Sequence, residues 1–274
     1  MAPIKIIIGT LEGSPYSRFF NSRKQRERLI LILNGTDPAP ALLPAERAAL
    51  LARHGLRDTG CPVFVSLGRL AATKHVMETL EAYRRLKAGG LDFRALLVGY
   101  GELADDARRF VAEHGLGAYV ALTGRVTHNE VPRYTAAADV YIALSEGGSL
   151  GNVTLEALSA GCCIVTLEPE ARRGIDCDLV GVLPDGVCTR VARADLATSL
   201  ATALRRLALD GALRAQYRKS AREFAAKNIV SWAERLDLEI ELLRQVGSDS
   251  LDRADRLGFR LLPNGNLAKA ASKV

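Results

Sequence analysis

Short apolar runs alternate with amphipathic segments through the middle of this 274-residue chain, and this alternation limits the folds available to it. The first run, PVFVSL at 62–67, ends at Gly68, and residues 74–88 then carry apolar side chains at helical spacing. The two patterns recur as far as CCIVTL at 162–167. Short buried strands separated by helices predict βαβ units, and hence an α/β protein with a Rossmann-like parallel sheet and helices on both faces.

The intervening strands are expected in RALLVG (94–99), YVALTG (119–124) and DVYIAL (139–144). A weaker strand, DLVGVL, is expected at 178–183, and leucines spaced from 196 to 207 predict a helix after it. Before the sheet, LILILNGTD (29–37) reads as a strand, and Pro44 begins a helix. Ser231 and Glu234 form a capping box for the last helix.

Composition indicates a soluble globular protein, with 48% hydrophobic and 25% charged residues. A net charge of +6 suits an anionic ligand or a membrane surface, although an excess this modest is also typical of a plain soluble enzyme. No apolar run approaches the ~18 residues that span a bilayer, and the five cysteines form no CxxC pair. We therefore expect a cytoplasmic protein without zinc or nucleic acid, and any membrane association to be peripheral.

Candidate ligand groups follow the predicted strands, because a doubly wound sheet binds ligands at the carboxyl ends of its strands. Arg69 and Lys74 lie in the loop after the first run. An arginine fork and a lysine ammonium there can clamp a diphosphate, although two solvated surface charges would read the same way. Gly99 and Gly101 either let the backbone approach a ligand closely or simply form a turn.

The stretch LSEGGSLGNVTLEALSAG at 144–161 indicates a phosphate site. Its glycines, up to Gly151, let the chain turn sharply into a helix whose first amides and partial positive charge attract an anion. Glu156 falls inside this helix, where its carboxylate needs either a lysine or arginine partner or a pair of sugar hydroxyls. Glu146 precedes the helix and is either an exposed loop acid or a hydrogen-bond acceptor for a second sugar.

The order and spacing of these segments resemble the carboxy-terminal, donor-binding half of GT-B glycosyltransferases, most closely the retaining glycosyltransferase family 4 (glycosyl transferases group 1). The resemblance covers about residues 29–245. It rests on LILILNGTD, VFVSLGRLAATKH, ALLVGYGE, VALTGRVTHNEVPRYTAAADVYIAL, GNVTLEALSAGCCIVT and IVSWAE, in this order.

In that family this half holds a nucleotide-diphosphate sugar. The resemblance implies that Arg69 and Lys74 contact the diphosphate and that Glu156 binds the ribose hydroxyls. It further implies that the helix start at Gly151, Asn152 and Val153 meets the phosphate or the sugar, that Arg125 and Val126 lie where the base is held, and that Gly68, Gly99, Gly101 and Glu146 belong to the same donor site. Neither a cofactor nor a metal is implied, because cations and helix amides neutralise the leaving diphosphate.

The sequence departs from the family pattern at two points. Many relatives carry two glutamates separated by seven residues, and counting back from Glu156 the first falls at Gly148, with Glu146 two residues earlier. In addition, family members have an amino-terminal domain that supplies the acceptor site and, in many, a catalytic histidine. We divide the chain into a connecting segment or remnant (1–28), the nucleotide-sugar-binding domain (29–246) and a tail (247–274).

The expected function is binding of a nucleotide-sugar donor, whose glycosyl group goes to a glycan, lipid or small-molecule acceptor held by an amino-terminal domain or subunit. No catalytic residue is assigned, and little transfer is expected from this chain alone, as a truncated, split or degenerate half. A non-catalytic nucleotide-binding or partner-binding module is the alternative. An enzyme of another class, such as a sugar-nucleotide epimerase of similar fold, is a third reading.

Overall fold

A computed structural model describes residues 34–37, 40–146, 150–170, 183–247, 259–261 and 267–269. The core elements alternate as the sequence predicts, and the fold is α/β. The strands of the main sheet are β1 (Val63–Leu67), β2 (Arg94–Val98), β3 (Val120–Gly124), β4 (Val140–Ala143), β5 (Cys163–Leu167) and β6 (Cys188–Val191). The helices are α1 (Pro44–Arg53), α2 (Val76–Ala88), α3 (Ala104–Glu113), α4 (Val131–Ala137), α5 (Asn152–Ala160), α6 (Leu196–Leu209), α7 (Gly211–Asn228) and α8 (Trp232–Gly247).

The six strands are parallel and lie in the order β3-β2-β1-β4-β5-β6. Val65 of β1 therefore pairs with Leu96 on one side and with Tyr141 on the other. The chain builds outward from β1 through β2 and β3, and then returns to place β4 on the other side of β1. The gap between the β1 and β4 connections is the point where such a sheet forms a crevice.

Two hydrophobic clusters, one on each face, confirm the expected three-layer arrangement. Phe64 faces α2, α3 and α6 in one cluster, whereas its neighbours Val63 and Val65 face α1, α4, α5 and α7 in the other. The alternation follows from the two-residue period of a strand. Because both faces are covered, the central strands are continuously apolar, which is why their sequence signal is strong.

The sixth strand differs from the prediction. The expected strand at 178–183 lies outside the described residues except for Leu183, which is not in a strand, whereas β6 at Cys188–Val191 was not predicted. Its CTRV sequence is half polar, and within the described structure it pairs with β5 alone. With two polar residues among its four, β6 lacks the apolar run on which the prediction relied, whereas β3 at the other edge of the sheet has one.

The two ends of the chain lie largely outside the described residues. Of the segment expected as a strand at 29–37, residues 34–37 are described and are not in a strand. The proposed segment 1–28 is not described, and the six described residues beyond 247 form an antiparallel pair, β7 (Phe259–Leu261) and β8 (Leu267–Lys269). At the start of α8 the predicted capping box is present, with Ser231 and Glu234 bonding each other's backbone amides.

Candidate donor-binding site

A cavity of about 310 Å³ lies at the carboxyl ends of β1 and β4, where the direction of strand addition reverses. Walls come from the loop after β1, the end of β4 and the first turn of α5. Six of the predicted site residues line it: Gly68, Arg69, Lys74, Gly151, Asn152 and Val153. The fold therefore brings together residues more than 80 positions apart because both loops leave adjacent parallel strands on the same edge.

The two predicted cations have different surroundings. Lys74 is half-buried, and its Nζ donates a hydrogen bond to Oγ of Ser145 at 2.8 Å, so the β1 loop is tied to the end of β4. The Arg69 side chain is 74% exposed, and its Nε lies 3.2 Å from Oε2 of Glu102. A pair this exposed contributes at most about 1 kcal/mol, so a phosphate could displace Glu102 at little cost.

The first turn of α5 presents backbone amides to the cavity. Its N-cap is Gly151, and no side chain of the described residues caps the helix. The first helical residue, Asn152, accepts a hydrogen bond from Asn34 through its side chain at 2.5 Å. A helix start with no side-chain cap retains the partial positive charge that binds anions. Gly161 ends the helix in the left-handed conformation, as the sequence predicts.

Gly99 and Gly101 lie beside this cavity but do not line it. A Cβ on Gly99, whose φ is +135°, would lie 1.9 Å from the carbonyl oxygen of Gly68, and one on Gly101 would lie 2.3 Å from that of Leu70. The close approach that these glycines allow is therefore made to the backbone of the β1 loop. They set the shape of the loop that carries Arg69 and Lys74.

Glu156 lies within α5, away from the cavity lining, and its Oε2 is buried without a hydrogen-bond partner among the described residues. Burial raises the pKa of this carboxyl, the electrostatic interaction with His128 opposes the rise, and the interaction with Asp37 adds to it. The lysine or arginine partner that the sequence left open is not found in the described part of the chain. An unpartnered acceptor of this kind is suited to donors on a ligand.

The remaining predicted pair, Arg125 and Val126, also lies outside the cavity lining. The Arg125 guanidinium is 5.6 Å from the centre of the exposed Tyr100 ring, and Val126 is half-buried against the hydrophobic cluster that contains α5. Both precede His128, which is close enough to Glu156 to affect its pKa. The loop after β3 and the middle of α5 are therefore neighbours.

Glu146 is neither an exposed loop acid nor part of the cavity lining. Its Oε1 accepts hydrogen bonds from Nε2 of His75 at 2.7 Å and from Nη1 of Arg193 at 2.8 Å. Sequence reasoning missed Ser145, His75 and Arg193 at this site. His75 could have been predicted, because it directly follows the predicted site residue Lys74. Arg193 could not, because it follows β6, the strand whose sequence gave no apolar signal.

Within the described residues, no three His, Cys, Asp or Glu side chains are grouped so as to hold a metal ion. Nor does any described helix combine the length and apolarity that a membrane crossing requires.

Comparison with known proteins places the chain among the glycosyltransferases. Residues 51–224 match the family model described as Glycosyl transferases group 1. The chain is 34% identical over 154 residues to the 2-deoxystreptamine glucosyltransferase of Streptomyces kanamyceticus, which covers 55% of this chain and 38% of that protein. It is 30% identical over 129 residues to the GDP-mannose-dependent alpha-(1-6)-phosphatidylinositol monomannoside mannosyltransferase of Mycolicibacterium smegmatis. This match covers 44% of this chain and 33% of that protein.

Solved structures share the fold at low sequence identity. Anabaena Alr3699/HepE in complex with UDP and glucose has a TM-score of 0.70 and 18% identity, covering 87% of this chain and 62% of that one. The C-terminal domain of the glycosyl transferase group 1 family protein LpcC from Francisella tularensis has a TM-score of 0.55 and 20% identity, covering 70% of this chain and 97% of that domain.

The chain thus spans less than half the length of the full-length transferases that its sequence matches. Taken with the 3-2-1-4-5-6 sheet, the family match over 51–224 identifies the chain as a member of the glycosyl transferases group 1 family with the fold of a GT-B carboxy-terminal domain.

Proposed function

We propose that the crevice between β1 and β4 binds a nucleotide-diphosphate sugar as the donor for glycosyl transfer. One observation carries the proposal: Arg69, Lys74 and the amides at the start of α5 all border the same cavity. Two cationic side chains and a helix N-terminus together match the charge of a diphosphate. Glu156, further along the same helix, provides a carboxylate acceptor for ribose hydroxyls.

The relatives support this ligand class and leave the base open. The HepE structure contains UDP and glucose, and the Mycolicibacterium relative is named for its dependence on GDP-mannose. Sugar, acceptor and the retaining stereochemistry are parts of the proposal that rest on family resemblance. We also propose that no divalent ion is needed, because Arg69, Lys74 and the helix amides neutralise the diphosphate; EDTA should therefore leave nucleotide affinity unchanged.

The phosphate assignment is tested by calorimetry with UDP, GDP and ADP. We expect the double variant R69A/K74A to lose at least about tenfold in affinity for the preferred nucleotide, since charge-assisted hydrogen bonds to phosphate are removed. R108A/R109A removes two exposed cations from α3 and is the matched control, expected to bind as the wild type does. Equal affinity of R69A/K74A and the wild type would refute the assignment.

We propose further that transfer requires an acceptor-binding domain in addition to this fold. The proposed donor site lies at a single crevice of the six-stranded sheet, whereas transfer needs donor and acceptor held together. Incubation with labelled UDP-glucose or GDP-mannose should give little transfer by this chain alone, and transfer after a candidate amino-terminal domain is added. Nucleotide binding without transfer in any mixture would instead favour a non-catalytic binding module.

A further inference from the structure

The loops after β1 and β4 are joined across the crevice by three hydrogen bonds in succession. The amide of Glu146 donates to the carbonyl of Thr73 at 2.9 Å, Lys74 donates to Ser145 at 2.8 Å, and His75 donates to Glu146 at 2.7 Å. Because a carboxylate can only accept, Nε2 of His75 carries the hydrogen of the last bond. Glu146 is thereby held both through its backbone and through its side chain.

His75 makes this contact from an unfavourable backbone conformation. Its φ and ψ are 53° and 42°, and among the described residues only Asp195 shares a positive φ outside glycine. A left-handed conformation at a residue with a Cβ costs free energy and persists where surrounding contacts fix it. The ring is held between two carboxylates, with Nδ1 3.3 Å from Glu78 and Nε2 against Glu146.

Arg193 reaches the same carboxylate from the β6 side of the sheet. It follows β6, its Nε donates to the carbonyl of Glu168 at 2.9 Å, and its Nη1 donates to Oε1 of Glu146 at 2.8 Å. The side chains of His75, Glu146 and Arg193 are 16%, 22% and 21% exposed, so the group is mostly shielded from water. Loops from the first, fourth and sixth strands therefore converge on one carboxylate oxygen.

We infer that His75 and Arg193 are positioning residues that hold Glu146 against the glycosyl part of the donor. This inference rests on the proposed function. A carboxylate repels the phosphates but accepts hydrogen bonds from sugar hydroxyls, and Glu146 adjoins Ser145, which lines the diphosphate cavity. A carboxylate fixed in advance also loses little conformational freedom when the sugar binds. Neither His75 nor Arg193 lines the cavity assigned to the diphosphate, so we expect their effect to be confined to the sugar.

The test compares each nucleotide sugar with its own nucleotide by calorimetry, using UDP-glucose, UDP-N-acetylglucosamine, GDP-mannose and ADP-glucose. The main variant is His75→Gly, because glycine adopts a positive φ without strain and should preserve the melting temperature while removing the contact with Glu146. We expect about a tenfold loss of affinity for the preferred nucleotide sugar and less than about a twofold change for its nucleotide diphosphate.

Arg193→Gln is the second variant, and the same selective loss is expected. In a double-mutant cycle, adding His75→Gly to Glu146→Gln should cause little further loss, because His75 acts through Glu146. Equal losses for nucleotide and nucleotide sugar, or no loss in folded variants, would overturn this inference and leave the proposed function intact. Equal affinity of the wild-type chain for each nucleotide diphosphate and for the corresponding nucleotide sugar would also overturn this inference and leave the proposed function intact. If the wild-type chain binds no nucleotide at all, the proposed function fails as well.

Discussion

Glu156 shows how a single side chain links the fold to the proposed ligand. It lies in a nine-residue helix whose other side packs against the sheet, and Oε2 is buried without a donor among the described residues. Burial therefore raises the pKa of the carboxyl. Such a cost to the folded state is typical of residues kept for binding rather than for stability.

The pH dependence of the Glu156→Gln variant tests this interpretation. Because the folded pKa is raised above the ordinary value of 4.5, the ionised form destabilises the folded state, and this cost fades as the pH falls through the folded pKa. The variant, neutral at every pH, should be more stable than the wild type at about pH 7 and gain less at about pH 4, while binding nucleotide more weakly. Thermal denaturation at both pH values measures the difference. Glu223→Gln, at an exposed site, should show no such trend.

Gly99 gives a second prediction at the residue scale. An alanine there would combine a φ of +135° with a Cβ 1.9 Å from the Gly68 carbonyl oxygen. We expect Gly99→Ala to lower the free energy of unfolding by roughly 2–4 kcal/mol, as measured by urea denaturation. Gly117→Ala is the control, because a Cβ at Gly117 meets nothing within 4 Å. Equal stability of the two variants would contradict the tight packing of these loops.

At the scale of elements, Asp139 joins three parts of the fold just before β4 begins. Its carboxylate accepts hydrogen bonds from the amide of Val63 at 2.9 Å, from Arg47 of α1 at 3.2 Å and from Arg218 of α7 at 2.7 Å. Asp139 is 9% exposed. Helices from one face of the sheet are thus tied to the strand ends opposite the crevice.

Asp139→Asn should therefore destabilise the fold. The change removes the carboxylate that pairs with Arg218 and one of the two that pair with Arg47, and we expect a loss of about 3 kcal/mol in the free energy of unfolding. Asp105→Asn breaks an exposed pair with Arg108 and should cost less than about 1 kcal/mol. Urea titration of both variants separates the two cases, and a difference smaller than the error of the titration would contradict the role given to Asp139.

The elements also show where the sequence signal was strong and where it was weak. Apolar runs predicted the inner strands β1, β2, β4 and β5, which are covered on both faces, and also β3, which lies at an edge of the sheet but has a mostly apolar sequence. β6 was missed because its CTRV sequence is half polar. In α8 the apolar residues Trp232, Leu236 and Ile240 are 37%, 53% and 46% exposed, whereas Arg235 is buried. The capping box located the start of this helix, but these apolar residues do not mark its buried face.

For the molecule as a whole, the charge of +6 affects how an anionic ligand is captured. Long-range attraction is screened when the Debye length falls from about 30 Å at 0.01 M salt to about 8 Å at 0.15 M. We expect the association rate constant of the preferred nucleotide to fall several-fold over this range while its dissociation rate constant changes less. Stopped-flow measurements at the two salt concentrations would give both rate constants. Equal changes in the two would argue against attraction of the nucleotide by the net charge.

The amino-acid sequence alone determined the α/β class, the order of the central elements and the family, because these depend on periodicity and on motifs read along the chain. It also located Arg69, Lys74 and the start of α5, since the loops that follow buried parallel strands share one edge of the sheet. Tertiary structure decided which groups meet. It turned Gly99 and Gly101 toward the β1 backbone, and it brought His75 and Arg193 to one oxygen of Glu146. His75 lies 71 positions and Arg193 lies 47 positions from Glu146 along the chain. Their contacts therefore depend on the sheet order β3-β2-β1-β4-β5-β6, which no local sequence pattern records.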